Sequence, residues 1–129
     1  MLGCSGSLQG PTIHGSTWRA VSIAGLSPVP GSEPTLTLGP GEATGSAGCN
    51  GYASDRLIID DRLLPLGGRA RVWIEGLAMQ AAPCRDPELM RVGQVFDETL
   101  GAVDHLHFDA AGRLVMTGWR GQLLFEPLR

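Results

Sequence analysis

Lysine is absent from the sequence, and all ten basic residues are arginines, set against 13 acidic residues. The arginines are dispersed along the chain, and the formal net charge is −3. Domains that bind nucleic acid instead carry a clustered excess of positive charge on one face or along one helix. The charge pattern therefore predicts that nucleic acid is not a partner of this protein.

Long hydrophobic runs are missing as well. No stretch reaches the roughly 18 uncharged apolar residues that a membrane-spanning helix needs. Hydrophobic residues nevertheless make up 43% of the 129 residues, which is enough for one core, while the length is too short for two ordinary domains. We expect one compact, monomeric domain without a membrane-spanning helix.

The first residues, Met-Leu-Gly-Cys, resemble the end of a bacterial lipoprotein signal, in which the cysteine is lipidated. The charged and apolar regions of such a signal are missing, so a stray cysteine in a frayed terminus is the alternative. Residues 5–16 are rich in glycine, serine, glutamine and proline, which is typical of a tether. The sequence predicts a flexible tether at residues 1–16, with Cys4 as the candidate lipidation site, and a folded domain at residues 17–129.

Short apolar or alternating segments bounded by Gly, Pro, Asn and Asp dominate the rest of the chain, as in an antiparallel β protein. The predicted strands contain the following residues: Trp18, Leu36, Thr44, Ile59, Leu66, Val72, Leu106, Val115 and Leu124. Turns are predicted at residues 39–41 and at residues 60–61, the latter joining the strands at residues 57–59 and 64–66 into a hairpin.

One segment, "DPELMRVGQVFDETLG", has helical periodicity instead. Asp86 is the predicted N-cap, Pro87 the first helical residue and Gly101 the stop. An apolar stripe at helical spacing predicts that this helix packs on the sheet, and Gly93 within it indicates close packing or a tolerated defect. The stripe consists of Leu89, Phe96 and Leu100, with Val92 or Met90 beside them. The predicted core consists of Trp18, Leu36, Leu38, Ile59, Phe96, Leu100, Leu106, Val115 and Phe125.

The segment "GSAGCNGY", residues 45–52, concentrates unusual residue types in the middle of the strands. It contains Gly45, Gly48, Cys49, Asn50 and Gly51. The glycine spacing fits neither the dinucleotide-binding fingerprint nor the Walker phosphate loop, and a nucleophilic cysteine would need a nearby base for which no Cys-His signature exists. We expect a structural corner in which glycines permit positive φ or close backbone approach and the asparagine binds local backbone.

Three further pairs are candidates for chemistry: His105 with His107, Asp60 with Asp61, and Trp73 with Trp119. The histidines share one face of a strand, where they could ligate a metal or simply face solvent. The adjacent aspartates lack the facing geometry of an acid/base pair and are expected to form a turn. The tryptophans could mark a ligand surface, or Trp119, which follows Gly118 in a hairpin connection, could simply cover one end of the sheet. We therefore predict no catalytic, metal-binding or cofactor-binding residue, and no enzymatic activity.

The sequence resembles the META domain family, whose members include HslJ-like heat-shock proteins of the bacterial envelope. The segments that carry the resemblance are, in chain order, the strand with Trp18, "GSAGCNGY", "GLAMQAAPC", the helical segment and "LVMTGWRGQLLFEPL". The resemblance spans residues 17–128. It implies a mainly β domain with one α-helix, a small antiparallel β-barrel-like fold of lipocalin-type topology, secreted or held in the envelope. The chain departs from the family pattern at Gln80, where threonine is usual, and at Gly93, where glutamate is usual.

The resemblance also implies a disulfide between Cys49 and Cys84, just before the helix. Three cysteines allow three pairings, and two reduced cysteines packed side by side remain the alternative. An oxidising compartment would make the bond chemically reasonable.

Two functions are expected from the resemblance and the fold. The first is a non-enzymatic periplasmic or extracellular protein, lipid-anchored through Cys4, that supports envelope integrity or stress tolerance through contacts with an envelope protein. The second is a binding module that holds a small apolar ligand in the barrel interior or on a face of the sheet. Neither function requires a cofactor.

Overall fold

The computed structural model describes residues 13–80 and 84–128. One α-helix, α1, spans Pro87–Leu100 within this part of the chain. The strands are β1 (Ser16–Ile23), β2 (Thr35–Leu38), β3 (Ala43–Ser46), β4 (Gly51–Ala53), β5 (Arg56–Asp60), β6 (Ala70–Glu75), β7 (Ala78–Met79), β8 (Val103–Phe108), β9 (Leu114–Gly118) and β10 (Gly121–Pro127).

The strands form one antiparallel sheet in the order β5-β6-β8-β9-β10-β1-β2-β3-β4-β7. Strands that follow each other in sequence pair in the three runs β5-β6, β8-β9-β10 and β1-β2-β3-β4, which is the up-and-down order of lipocalin-type barrels. The sheet curls into a half-barrel with β5 and β7 at its two edges. The predicted fold class, mainly β with one helix in a barrel-like arrangement, is confirmed.

Helix α1 begins and ends where the sequence predicts. The carboxylate of Asp86 accepts hydrogen bonds from the backbone N–H groups of Glu88, at 2.9 Å, and of Leu89, at 3.4 Å, which satisfies two of the free donors at a helix start. Of the predicted stripe, Val92, Phe96 and Leu100 are buried, whereas Leu89 is half-buried and Met90 is exposed. None of the described residues belongs to a helix long and apolar enough to cross a membrane.

The helix packs on β1 and β10 and contributes its buried face to a single core. Phe96 lies at the centre, its ring centroid 5.7 Å from that of Tyr52 and 6.2 Å from that of Phe125. Apolar side chains fill the space between α1 and the sheet.

Eight of the predicted core residues are buried: Trp18, Leu36, Leu38, Phe96, Leu100, Leu106, Val115 and Phe125. Ile59 is only half-buried, because β5 is an edge strand with a single neighbour. Val115 was predicted to face the core from β9, and this prediction is wrong by one residue along the strand. Leu114 and Met116 belong to the core, and strand alternation places Val115 on the opposite face.

The folded domain extends further towards the N-terminus than predicted. Ile13 is only 4% exposed, and the backbone N–H of Gly15 donates to the carbonyl of Leu38, because the chain already pairs with the end of β2 before β1 begins. Residues 13–16 are therefore part of the domain and not of the predicted tether. The rest of the tether, residues 1–12 with Cys4, and residue 129 at the other terminus lie outside the described residues.

The strand predicted at residues 64–66 is wrong. Leu64–Leu66 forms a short 3-10 helix that ends at Gly67 in the left-handed region, with φ 79°. Pro65 has no N–H to donate to a strand ladder, and the glycine supplies the positive φ that stops the turn. Strand β5 pairs with β6 instead, across a loop at residues 61–69.

Candidate functional site

The corner at residues 45–52 depends on its glycines for steric reasons. A Cβ on Gly45 would lie 2.2 Å from the carbonyl oxygen of Thr35, and one on Gly48 would lie 3.0 Å from that of Ser32. Gly48 also has φ 105°, a conformation that residues with a side chain rarely adopt. The corner is therefore a tight structural turn between β3 and β4, as its composition predicts.

Side-chain contacts at the corner differ from the prediction at one residue. The predicted hydrogen bond from the side chain of Asn50 to local backbone is absent: its Oδ1 is buried and has no hydrogen-bond partner among the described residues. The backbone carbonyl of Asn50 closes the turn instead, accepting from the N–H of Ala47 at 2.8 Å. Gly51 is held by Gln80, whose Oε1 accepts from its N–H at 3.2 Å. The glutamine that departs from the family pattern therefore braces the corner.

Cys49 and Cys84 are joined by a disulfide, with their Cα atoms 5.9 Å apart. The predicted pairing is thus present in the structure. Since Cys84 lies two residues before the N-cap Asp86, the bond ties the start of α1 to the corner. The bond also occupies both sulfur atoms, so neither cysteine offers a thiolate for nucleophilic chemistry while it is intact.

Gly93 brings the middle of α1 against the same corner. A Cβ at this position would lie 3.0 Å from the carbonyl oxygen of Ala47, so an alanine here would have to push the helix and the corner apart. Close packing is therefore the reason for glycine inside the helix. The corner holds α1 at two points, by the disulfide at its start and by this contact one and a half turns further on.

A groove of about 700 Å³ runs between the corner, β7 and α1. We call it the clasp groove; its lining includes Ala47, Cys49, Asn50, Met79, Leu89, Met90, Arg91, Gln94 and Asp97. Met90 is 54% exposed and Met79 is half-buried. Unbranched methionine side chains adapt to irregular apolar partners. The groove therefore presents a mainly apolar surface with a few polar side chains in its lining.

Two titratable groups with shifted pKa values lie at this site. Burial raises the pKa of Asp97 above the ordinary aspartate value, and the nearby charge of Glu98 raises it further. Burial also raises the pKa of Tyr52, with a smaller contribution from Asp97. The Tyr52 hydroxyl donates a 2.6 Å hydrogen bond to the carbonyl of Thr35 and is therefore a structural group.

The structure separates the other candidate residues from this site. His105 and His107 are half-buried on β8, with Nδ1 of His105 2.8 Å from Oδ1 of Asp104. The described residues hold no group of three or more His, Cys, Asp or Glu side chains placed to bind a metal ion. Asp60 is the last residue of β5 and is paired with Arg62.

The two tryptophans lie elsewhere on the surface. Trp73 is 39% exposed on the outer face of β6, and Trp119 is 79% exposed between β9 and β10. The interpretation of Trp119 as a cover for the sheet is therefore wrong, because most of its surface faces solvent. Neither residue lines the clasp groove.

Sequence reasoning did not find Met79, Tyr52 or Asp97 as site residues. They converge only because β4 pairs with β7 and α1 crosses the corner. Helical spacing does place Met90, Gln94 and Asp97 on neighbouring turns of one side of α1, but no local signal distinguishes that side from an ordinary solvated face.

No functionally curated protein matches the sequence significantly. Two structures solved by NMR are similar in fold. One is 18% identical, with a TM-score of 0.65 over 90% of this chain and 94% of that chain. The other, a protein from Burkholderia xenovorans, is 17% identical, with a TM-score of 0.62 over 90% of this chain and 83% of that chain. At these identities the likeness concerns the fold alone.

The family model of the META domain matches residues 11–127. The match includes the corner, the disulfide, α1 and every strand described above. The protein therefore belongs to the META domain family.

Proposed function

We propose that this META-domain protein is a non-enzymatic component of the bacterial envelope that binds an envelope protein in the clasp groove. The observation that carries the proposal is the disulfide between Cys49 and Cys84 at the border of that groove. By binding this partner, the protein would support envelope integrity or stress tolerance.

The proposed location rests on redox chemistry. Disulfides form and persist mainly in oxidising compartments such as the bacterial periplasm and the cell exterior. A bond that fixes the border of the candidate site suits a protein that works there. Lipidation of Cys4 would hold the protein at the envelope and is part of the same proposal.

The proposed mode of action rests on the chemistry of the groove. Among the described residues that line the groove, Asp97 has a raised pKa, and none of them forms a pair of base and nucleophile. The exposed part of Met90 and the half-buried Met79 offer apolar contact area instead. Two fixed points on α1 hold that area in place, so a partner need not order it on binding.

Site-specific photo-crosslinking tests this function. A photoreactive amino acid replaces Met90 in the full chain, expressed in its native bacterium with the disulfide intact. We expect a discrete crosslinked adduct with an envelope protein. The matched control is the same replacement at Ile58, which is 38% exposed and lies on β5 away from the groove. Equal adducts at both positions, or none at Met90, would contradict the proposal.

A small apolar ligand is a second candidate occupant of the same groove. The groove volume of about 700 Å³ falls within the range of roughly 300–1,000 Å³ that is usual for small-molecule sites. Native mass spectrometry of protein isolated from envelopes would then show a bound small molecule. The Met90→Asp variant should lose that mass, whereas Ile58→Asp should retain it. If neither the unaltered protein nor Ile58→Asp carries a bound small molecule, the ligand hypothesis is wrong and the envelope protein is the occupant of the groove.

A further inference from the structure

The loop at residues 61–69 exposes apolar side chains between arginines. Leu63 is 53% exposed and Leu66 is 81% exposed, although the sequence pattern predicts a strand here. The side chain of Arg62 is 82% exposed, and Arg69 is exposed too. Burying exposed leucine side chains against another surface is energetically favourable, and clustered exposed apolar residues often mark an interaction site.

Arginines surround the base of the same loop. A cleft of about 400 Å³ is lined by Asp60, Arg62, Leu63, Arg69 and Arg71. Arg62 is already occupied: its Nε and one terminal nitrogen each lie 2.8 Å from an oxygen of Asp60. Among the described residues, no carboxylate lies within ion-pair distance of Arg69 or Arg71. Three arginines stand against two aspartates over residues 60–71, so the loop is locally cationic in an anionic chain.

The loop shares one end of the sheet with the first and last described residues, Ile13 and Leu128. Because neighbouring strands run antiparallel, the start of β1, the end of β10 and the start of β6 lie at the same end, which we call the β1 end. Ile13 and Leu128 are also there, and Leu128 is 41% exposed. Ile13, the first described residue, therefore lies at the end that carries the loop.

We propose that the β1 end docks onto the surface of an anionic phospholipid bilayer, with Leu63 and Leu66 inserted among the headgroups and Arg69 and Arg71 bound to lipid phosphates. Arginine suits this role because its planar fork of donors matches phosphate oxygens. The surface is separate from the clasp groove, so this proposal does not depend on the proposed function.

Two physical terms set the expected strength. Each apolar side chain that enters the interface adds favourable burial, and each arginine near an anionic membrane surface adds electrostatic attraction. The net charge of −3 opposes approach to anionic lipid. Binding must therefore depend on the local arrangement of leucines and arginines and not on overall charge.

Vesicle flotation of the full, unlipidated chain tests the proposal. We expect binding to vesicles of phosphatidylcholine with 30% phosphatidylglycerol and about tenfold weaker binding for Leu66→Ser, in line with the loss of one buried leucine. Arg69→Gln should weaken binding about fivefold. High salt should remove most of the difference between Arg69→Gln and the unaltered protein, because screening suppresses the phosphate contact.

Trp119→Ser is the matched control. Trp119 is 79% exposed, nearly as much as Leu66, but it follows β9 and so lies at the opposite end of the sheet. We expect its binding to equal that of the unaltered protein. Circular dichroism of all variants verifies that each one is folded.

Three outcomes would overturn the proposal. The first is no flotation of the unaltered chain with anionic vesicles. The second is an equal loss of binding in Trp119→Ser and Leu66→Ser. The third is a dimer in lipid-free sedimentation that Leu66→Ser abolishes, because a second copy of the chain would then be the occupant of this surface.

Discussion

At the scale of single residues, the site depends on three glycines, because they have no Cβ atom. Gly45, Gly48 and Gly93 each leave room for a backbone carbonyl where a Cβ would clash or crowd. Their absent side chains let three segments meet: β2, the corner and α1. The groove next to them is therefore a consequence of close backbone approach around it.

Asp97 provides a prediction at this scale. Its raised pKa means that folding favours the protonated form, so its contribution to stability is fully present below the pKa of the unfolded chain and is lost as pH rises through the folded pKa. Its place in the last turns of α1 also disfavours a negative charge. We expect Asp97→Asn to be more stable than the unaltered protein at pH 7 and about equal to it near pH 3.

Urea unfolding across this pH range measures the effect. Asp61→Asn is the control for the removal of one carboxylate, because Asp61 is an exposed loop aspartate remote from α1. A stability gain for Asp97→Asn that is constant between pH 3 and pH 7 would contradict the assignment of a raised pKa.

At the scale of elements, the disulfide joins the corner to α1 across a sequence separation of 35 residues. A cross-link of this span restricts the unfolded chain by about 3–4 kcal/mol on the loop-entropy model. We expect the double variant Cys49→Ser with Cys84→Ser to lose roughly this much free energy of unfolding. Denaturant titration measures the loss, and Cys4→Ser, which leaves the bond intact, is the control. Equal unfolding free energies for the double variant and the unaltered protein would refute a stabilising role.

Elements with strong local signals could be predicted from the sequence. Asp86, Pro87 and Gly101 define α1 by themselves, and the turn after Leu38 defines a hairpin. Strand β7 has two residues and gave no such signal. The alternation of Leu64 and Leu66 wrongly indicated a strand, because Pro65 and Gly67 favour a tight turn there.

The candidate site was predictable only in part, for a physical reason. The glycines and Cys49 stand out in the sequence, whereas Met79 and Asp97 have ordinary neighbours and reach the groove through pairing and helix packing. Contacts between residues far apart in sequence leave no local trace. Sequence reasoning therefore located the corner but not the groove beside it.

At the scale of the whole molecule, lipidation of Cys4 would decide whether the protein is held at the membrane. We predict that Cys4 carries a diacylglyceryl group when the protein is expressed from its complete native locus. Mass spectrometry of the N-terminal peptide should show the adduct, and Cys4→Ser should release the protein from the membrane fraction. An unmodified Cys4 in a soluble cytosolic fraction would end the idea of an anchor there.

The disulfide also changes the covalent topology of the chain. Together with the backbone it closes a ring that contains β4, β5, the exposed loop at residues 61–69, β6 and β7. Trypsin can cut this chain only after arginine, since lysine is absent, and Arg62 and Arg69 are exposed within the ring. A single cut in that loop would leave both pieces in one molecule until a reductant opens the ring. In an oxidising compartment, the domain can thus be cut in this exposed loop and still remain a single covalent unit.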